Sequence, residues 1–144
     1  MCMLNNKEIL TSVLKTTQMG QVGIRSVLKA PMGPPLREAL EGQLHEYDAI
    51  ESQAHTIASQ RGWDLEDLDP ALKFMADSMT RMQLLHRSTD SRIADMMIRG
   101  STRGMVKGLR NLHQFEGVDT QVCSLSQKLL DCETAGIRQM QNYL

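Results

Sequence analysis

Four polar residues fall near the middle of long amphipathic segments and on the apolar side of each: Thr17, Glu51, Ser101 and Glu133. Two of the four are carboxylates, and carboxylates on facing helices are the ligands with which helical bundles bind a pair of metal ions. An unpaired buried carboxylate is costly, so it otherwise takes up a proton or finds a hydrogen-bond donor. The sequence therefore points to a metal centre or to a hydrogen-bonded polar layer at this depth.

The metal centre lacks most of its ligands. A di-iron site needs an imidazole three residues after a glutamate on two helices, but Ala54 follows Glu51 and Gly136 follows Glu133 at that spacing. Two carboxylates without imidazole hold a divalent transition ion poorly. His55 could approach from the flank, so an atypical site would use Glu51, His55 and Glu133. We expect no metal ion and no cofactor.

The second hypothesis is a polar layer that fixes helix register, as single buried polar residues do in coiled coils. Its members would be Thr17, Tyr47, Glu51, Ser101 and Glu133, with the Tyr47 hydroxyl as a donor to the carboxylates. We favour this hypothesis over a residual site for a cation or a small ligand.

Five helices must position these residues. Hydrophobic periodicity predicts them over residues 6–29, 35–61, 70–86, 90–113 and 119–143. The segment between the second and fourth helices contains only the short third helix, and it is long enough to let these two helices run parallel. The predicted fold is an all-α, up-down-down-up four-helix bundle with a long crossover that contains a short helix.

Composition limits the class of protein. The 144 residues are 41% hydrophobic, which fits one domain spanning residues 1–144. The net charge of −1 and the five aromatic residues argue against a nucleic-acid-binding protein. We expect the eleven Met side chains to fill gaps between helices.

The length of the apolar runs and the spacing of the cysteines predict where in the cell the protein is located. Apolar runs stay well short of the roughly 20 residues that a membrane span requires. The three cysteines, Cys2, Cys123 and Cys132, form no CxxC pair, so a disulfide framework is not expected. These features predict a cytoplasmic protein without a membrane span.

Glycines recur inside two of the predicted helices. Gly100, Gly104 and Gly108 lie four residues apart on the fourth helix, and Gly20 and Gly23 lie on the first. Each costs a helix about 1 kcal/mol relative to alanine. Close approach of helix backbones near Gly20 and Gly104 would explain them.

Four cations form a stripe on the fourth helix: Arg99, Arg103, Lys107 and Arg110. A solvated face is the simpler interpretation. A functional stripe would meet the acidic outer face of the second helix in another copy, which predicts self-association as a homo-oligomer, or it would bind an acidic partner.

The helix order and patterning from Asn6 to Tyr143 resemble the ferritin-like superfamily. The segments 36–40, 46–51 and 61–63 (LREAL, EYDAIE and RGW) are also similar to the helical repeat of bacterial spore coat F-type proteins. These resemblances imply a bacterial bundle that has lost its iron centre and has a structural or assembly role, with possible spore association.

No motif for nucleophilic catalysis or phosphate binding is present in the sequence. We therefore predict a non-enzymatic protein of the spore-coat type. The alternative is an atypical metal-binding protein or oxidoreductase that uses Glu51, His55 and Glu133.

Overall fold

The computed structural model describes residues 4–85 and 87–144, and it confirms the all-α prediction. The five helices are α1 (Asn6–Val27), α2 (Pro34–Arg61), α3 (Pro70–Leu85), α4 (Asp90–Gln114) and α5 (Thr120–Gln141). The predicted range 6–29 was two residues too long for α1, and 119–143 overran α5 at both ends. Cys2 and His86, the predicted last residue of α3, lie outside the described residues.

Side chains that bind free backbone amides define where the helices begin. Asn5 and Glu8 form a reciprocal pair around the first turn of α1. Thr89 accepts from the amide of Arg92 at the start of α4, and Asp119 caps α5. Gly62 ends α2 with φ +70°, a conformation that favours glycine.

Contacts between helix ends fix how the long helices lie beside one another. The start of α1 meets the end of α4, where the Leu4 amide donates to the Gln114 carbonyl over 2.7 Å. The starts of α2 and α4 meet where the Gly33 amide donates to Asp90 over 3.0 Å.

The end of α2 and the start of α5 are held together by charge. Arg61 Nε lies 2.8 Å from Asp119 Oδ2, and the guanidinium also donates to Gln121. The same Asp119 carboxylate caps α5, so one side chain fixes both the helix start and the contact with α2.

The core lies along the seams that periodicity predicts. On α2 the apolar spacing predicts an inward seam, and all seven of its members are buried: Leu36, Leu40, Gln43, Tyr47, Ile50, Ala54 and Ile57. On α1, Leu10, Val13, Thr17, Ile24 and Val27 are buried in the same way. Burial of apolar area on these seams is the main force that holds the long helices together.

Helix α3 lies on α1. Ser26 of α1 donates to Asp77, and in the preceding connector the Leu68 amide donates to the Gln18 side chain over 2.7 Å. Leu84 is the only residue of α3 that is buried within the described chain. The expectation that methionines fill internal gaps is therefore wrong for this helix, whose Met75, Met79 and Met82 are all more than half exposed.

None of the described helices combines the length and hydropathy that crossing a bilayer requires.

Candidate ligand site

A buried tyrosine and a buried glutamate meet at the centre of the bundle. Tyr47 on α2 donates from its hydroxyl to Oε1 of Glu133 on α5 over 2.9 Å. Only 4% of Tyr47 and 2% of Glu133 are exposed. Both residues lie on core seams, so the periodicity that buries α2 and α5 brings these two polar groups together.

Burial changes the protonation of this pair. Removal from water raises the pKa of Glu133 to about 7, although the nearby hydroxyls of Tyr47 and Ser101 act in the opposite direction. Burial and the neighbouring Glu133 raise the pKa of Tyr47, which therefore keeps its proton. Glu133 therefore keeps its proton to a higher pH than an exposed glutamate does.

One oxygen of the carboxyl group lacks a partner. Oε2 of Glu133 is buried and forms no hydrogen bond with any described residue. Buried carboxylate oxygens are normally satisfied, and leaving one without a donor costs about 1–3 kcal/mol or more. The oxygen is therefore ready to accept a hydrogen bond from outside the chain.

A cavity of about 430 Å³ lies beside the pair. It is bounded by α1, by the connector and first turn of α3, and by α4, and it reaches Tyr47 and Glu133. Its apolar lining includes Met19, Ile24 and Met97. This volume matches the smaller ligand sites found in proteins.

Two glycines keep the space next to the pair open. A Cβ atom on Gly20 would lie 2.8 Å from Cζ of Tyr47, and one on Gly104 would lie 2.9 Å from Oε1 of Glu133. Both distances are shorter than side chains tolerate. The sequence predicts a close approach of helix backbones at these glycines, but the atoms nearest to each one belong to a polar side chain of another helix.

The mouth of the cavity is charged. Lys15, Arg103 and Lys107 lie there together with Glu66 and Asp69. Lys15 pairs with Glu66 at 3.2 Å. Within the described chain, Arg103 and Lys107 form no ion pair, so both are free to meet an anionic group.

The predicted polar layer is only partly correct. The structure brings Tyr47 and Glu133 together, and Ser101 lies near enough to lower both of their pKa values. Thr17 is buried, but its hydroxyl donates to the Val13 carbonyl of its own helix. It therefore contributes nothing to the pair.

Glu51 is the clear error in that layer. It is half-buried and accepts hydrogen bonds from Gln18 and Gln21 of α1, at 3.1 and 3.3 Å. These two amides draw the carboxylate to the α1–α2 edge of the bundle, because they supply donors that the interior does not. The position of Glu51 beside the α2 seam did not show that its carboxylate would turn towards α1.

The atypical metal group is not assembled. Among residues 4–85 and 87–144, no three His, Cys, Asp or Glu side chains lie close enough to hold one ion. His55 is exposed, Glu51 is bonded to α1, and Glu133 is bonded to Tyr47. The combination of Glu51, His55 and Glu133 is therefore wrong as a ligand set.

The cationic stripe divides into separate parts. All four members are exposed: Arg99, Arg103, Lys107 and Arg110. Arg99 pairs with Asp95 on its own helix at 3.1 Å. Only Arg103 and Lys107 line the cavity mouth, so half of the stripe belongs to the candidate site.

Two participants were missed from the sequence. Gln18 holds the connector, because its side chain donates to Asp67 over 2.8 Å while accepting from the Leu68 amide. Leu72 of α3 contributes to the cavity wall. The sequence places Gln18 on the apolar side of α1, but that position does not reveal what its side chain binds. No signal in the sequence marked Leu72.

Comparisons with known proteins support the fold alone. No protein-family model matches the chain, and no curated protein matches it. The chain is similar to a solved structure, "Crystal structure of DUF305 fragment from Deinococcus radiodurans", with 14% identity and a TM-score of 0.71. The alignment covers 95% of this chain and 93% of that one.

Proposed function

We propose that this chain is a non-enzymatic, ferritin-like helical bundle that binds a small amphipathic ligand in the cavity between α1, α3 and α4. The observation that carries the proposal is the buried Oε2 of Glu133, which has no partner in the described chain beside a cavity of about 430 Å³. The ligand places an amine, or another cationic donor, on this oxygen.

The proposed course of the helices is the ferritin-like up-down-down-up order. Contacts between the starts of α2 and α4, and between the start of α1 and the end of α4, support it. The bond between Arg61 and Asp119, which joins the end of α2 to the start of α5, agrees with the same order.

An amine suits the pair for an electrostatic reason. Tyr47 already donates a hydrogen bond to Oε1. The ionised carboxylate therefore lacks only a donor at Oε2. A cationic donor also offsets the desolvation that raises the pKa of Glu133. The amine and carboxyl therefore stabilise each other's charged forms.

The walls define the rest of the ligand. Met19, Ile24, Leu72 and Met97 present apolar atoms along the cavity, which favours a hydrocarbon body. Methionine side chains adapt to different shapes. Arg103 and Lys107 at the mouth can meet an anionic group at the far end of the ligand, although solvent screens that contact.

A thermal-shift experiment with hexylammonium tests the proposal. At pH 8, where Glu133 is mostly ionised, a concentration well above Kd raises Tm by roughly 3 °C or more. Hexanol has the same chain without the cation and produces a smaller rise. Glu133→Gln abolishes the difference between the two compounds, because its uncharged amide does not attract the ammonium group.

Glu41→Gln is the matched control, since Glu41 is exposed on α2. It retains the wild-type response to hexylammonium. Equal shifts in wild type and Glu133→Gln contradict the proposal, as does the absence of any shift across the series from butylammonium to octylammonium.

A further inference from the structure

Helix α3 carries an exposed apolar seam with the spacing of a coiled coil. Leu72, Met75, Met79 and Met82 are separated by three, four and three residues, and their exposed fractions are 46%, 56%, 55% and 65%. This alternation places side chains along one stripe that packs against another helix. We refer to these four residues as the α3 seam.

Apart from Leu72, whose side chain also lines the cavity, the α3 seam faces away from the bundle. The opposite side of the helix holds Asp77, which accepts from Ser26 of α1 and pairs with Lys29 at 3.7 Å. Phe74 and Leu85, which are 74% and 78% exposed, extend the apolar surface on one side of the seam. Contiguous exposed apolar surface of this kind marks an interaction site.

The edges of the α3 seam carry no charge. The residues that flank it are Ala71, Ala76, Ser78 and Gln83. The three charged residues of α3 are Lys73, Asp77 and Arg81, and Arg81 pairs with Asp77. A basic or acidic partner would therefore find no complementary charge beside the seam.

We propose that the α3 seam binds the α3 seam of a second copy of this chain. An uncharged stripe is compatible with itself, because a two-fold interface brings identical surfaces together and like charges would repel there. The small Ala and Ser flanks permit close approach of the two helices. A lipid surface fits less well, since membrane-binding helices place Lys and Arg along the edges of their apolar face.

This interface differs from the one that the sequence predicts. The cationic stripe on α4 and the acidic side of α2 take no part in it. The α3 seam shares Leu72 with the cavity wall, but Met79 and Met82 do not line the cavity, so variants at these two positions test the seam separately from ligand binding at Glu133.

Sedimentation velocity of the full chain tests the inference. At about 100 µM, where an interface of micromolar Kd is filled, wild type sediments as a dimer. Met79→Glu weakens dimerisation at least tenfold, because it places a charge in the centre of the seam. Leu109→Glu changes an exposed apolar residue of α4 and Arg103→Glu changes the cationic stripe, and both variants remain dimeric.

Met82→Lys is a second seam variant with the opposite charge, and it also gives monomers. Circular dichroism verifies that each variant keeps wild-type helix content. A wild-type monomer overturns the inference, and so does a dimer that depends on Arg103 rather than on Met79. Binding of monomeric wild type to phosphatidylcholine or phosphatidylserine vesicles, lost in Met79→Glu, would instead assign the seam to lipid and overturn it.

Discussion

Between pH 5 and pH 8 the wild-type protein loses roughly 2–3 kcal/mol of stability relative to Glu133→Gln. Burial raises the pKa of Glu133 from 4.5 to about 7. The unfolded chain releases this proton near the ordinary pKa, whereas the folded chain holds it until near neutral pH. The folded state therefore binds more protons within this window, and its stability falls as pH rises.

Urea denaturation at pH 5 and pH 8 measures this difference. Glutamine keeps the size and the Tyr47 hydrogen bond of the side chain but does not ionise, so the variant is less sensitive to pH. Glu41→Gln, on the exposed side of α2, follows wild type at both pH values. If the stabilities of wild type and Glu133→Gln change in parallel, Glu133 is not the buried titrating group.

Gly104→Leu destabilises the fold by roughly 1–3 kcal/mol, the usual range for overpacking. Its Cβ would lie 2.9 Å from Oε1 of Glu133, and the longer side chain must displace the carboxyl or enter the cavity. Lys107→Leu, one turn away at an exposed position, changes stability by about 0.5 kcal/mol or less. Gly104→Leu also loses the response to hexylammonium.

Gly100→Leu is the matched control on the same helix. No atom outside its local backbone lies within 4 Å of the position where its Cβ would stand. The substitution therefore gains helix propensity, about 0.8 kcal/mol, without a clash. Chemical denaturation of the three variants separates the effects, and equal destabilisation by Gly100→Leu and Gly104→Leu would refute the close contact with Glu133.

Periodicity predicted which residues of α1 and α2 are buried because burial follows directly from the spacing of apolar side chains. It could not distinguish Glu51 from Glu133. Both lie close to a seam, but Gln18 and Gln21 supply hydrogen bonds to Glu51 at the edge, while Tyr47 holds Glu133 inside. Such partners are tertiary, and a single sequence does not pair them.

The glycines illustrate the same limit. Their presence inside α1 and α4 predicted a close contact, since glycine costs helix stability. Which atoms make the contact depends on how four helices meet, and the cavity beside Tyr47 arises from that arrangement. Periodicity also predicted that α3 is helical, but it did not show that Met75, Met79 and Met82 would be exposed.

The structural or assembly role and the spore-coat resemblance stay predictions, because a shared fold at 14% identity does not bear on function. Self-association also stays a prediction, now assigned to the α3 seam rather than to the cationic stripe.

The most direct test of the ligand site is a carbon-13 NMR titration of the Glu133 side-chain carboxyl, with and without hexylammonium. In the free protein the midpoint lies near pH 7. Saturation with hexylammonium lowers it by one unit or more, because the bound cation stabilises the carboxylate. A midpoint near 4.5 in the free protein, or one that hexylammonium leaves unchanged, would contradict the account.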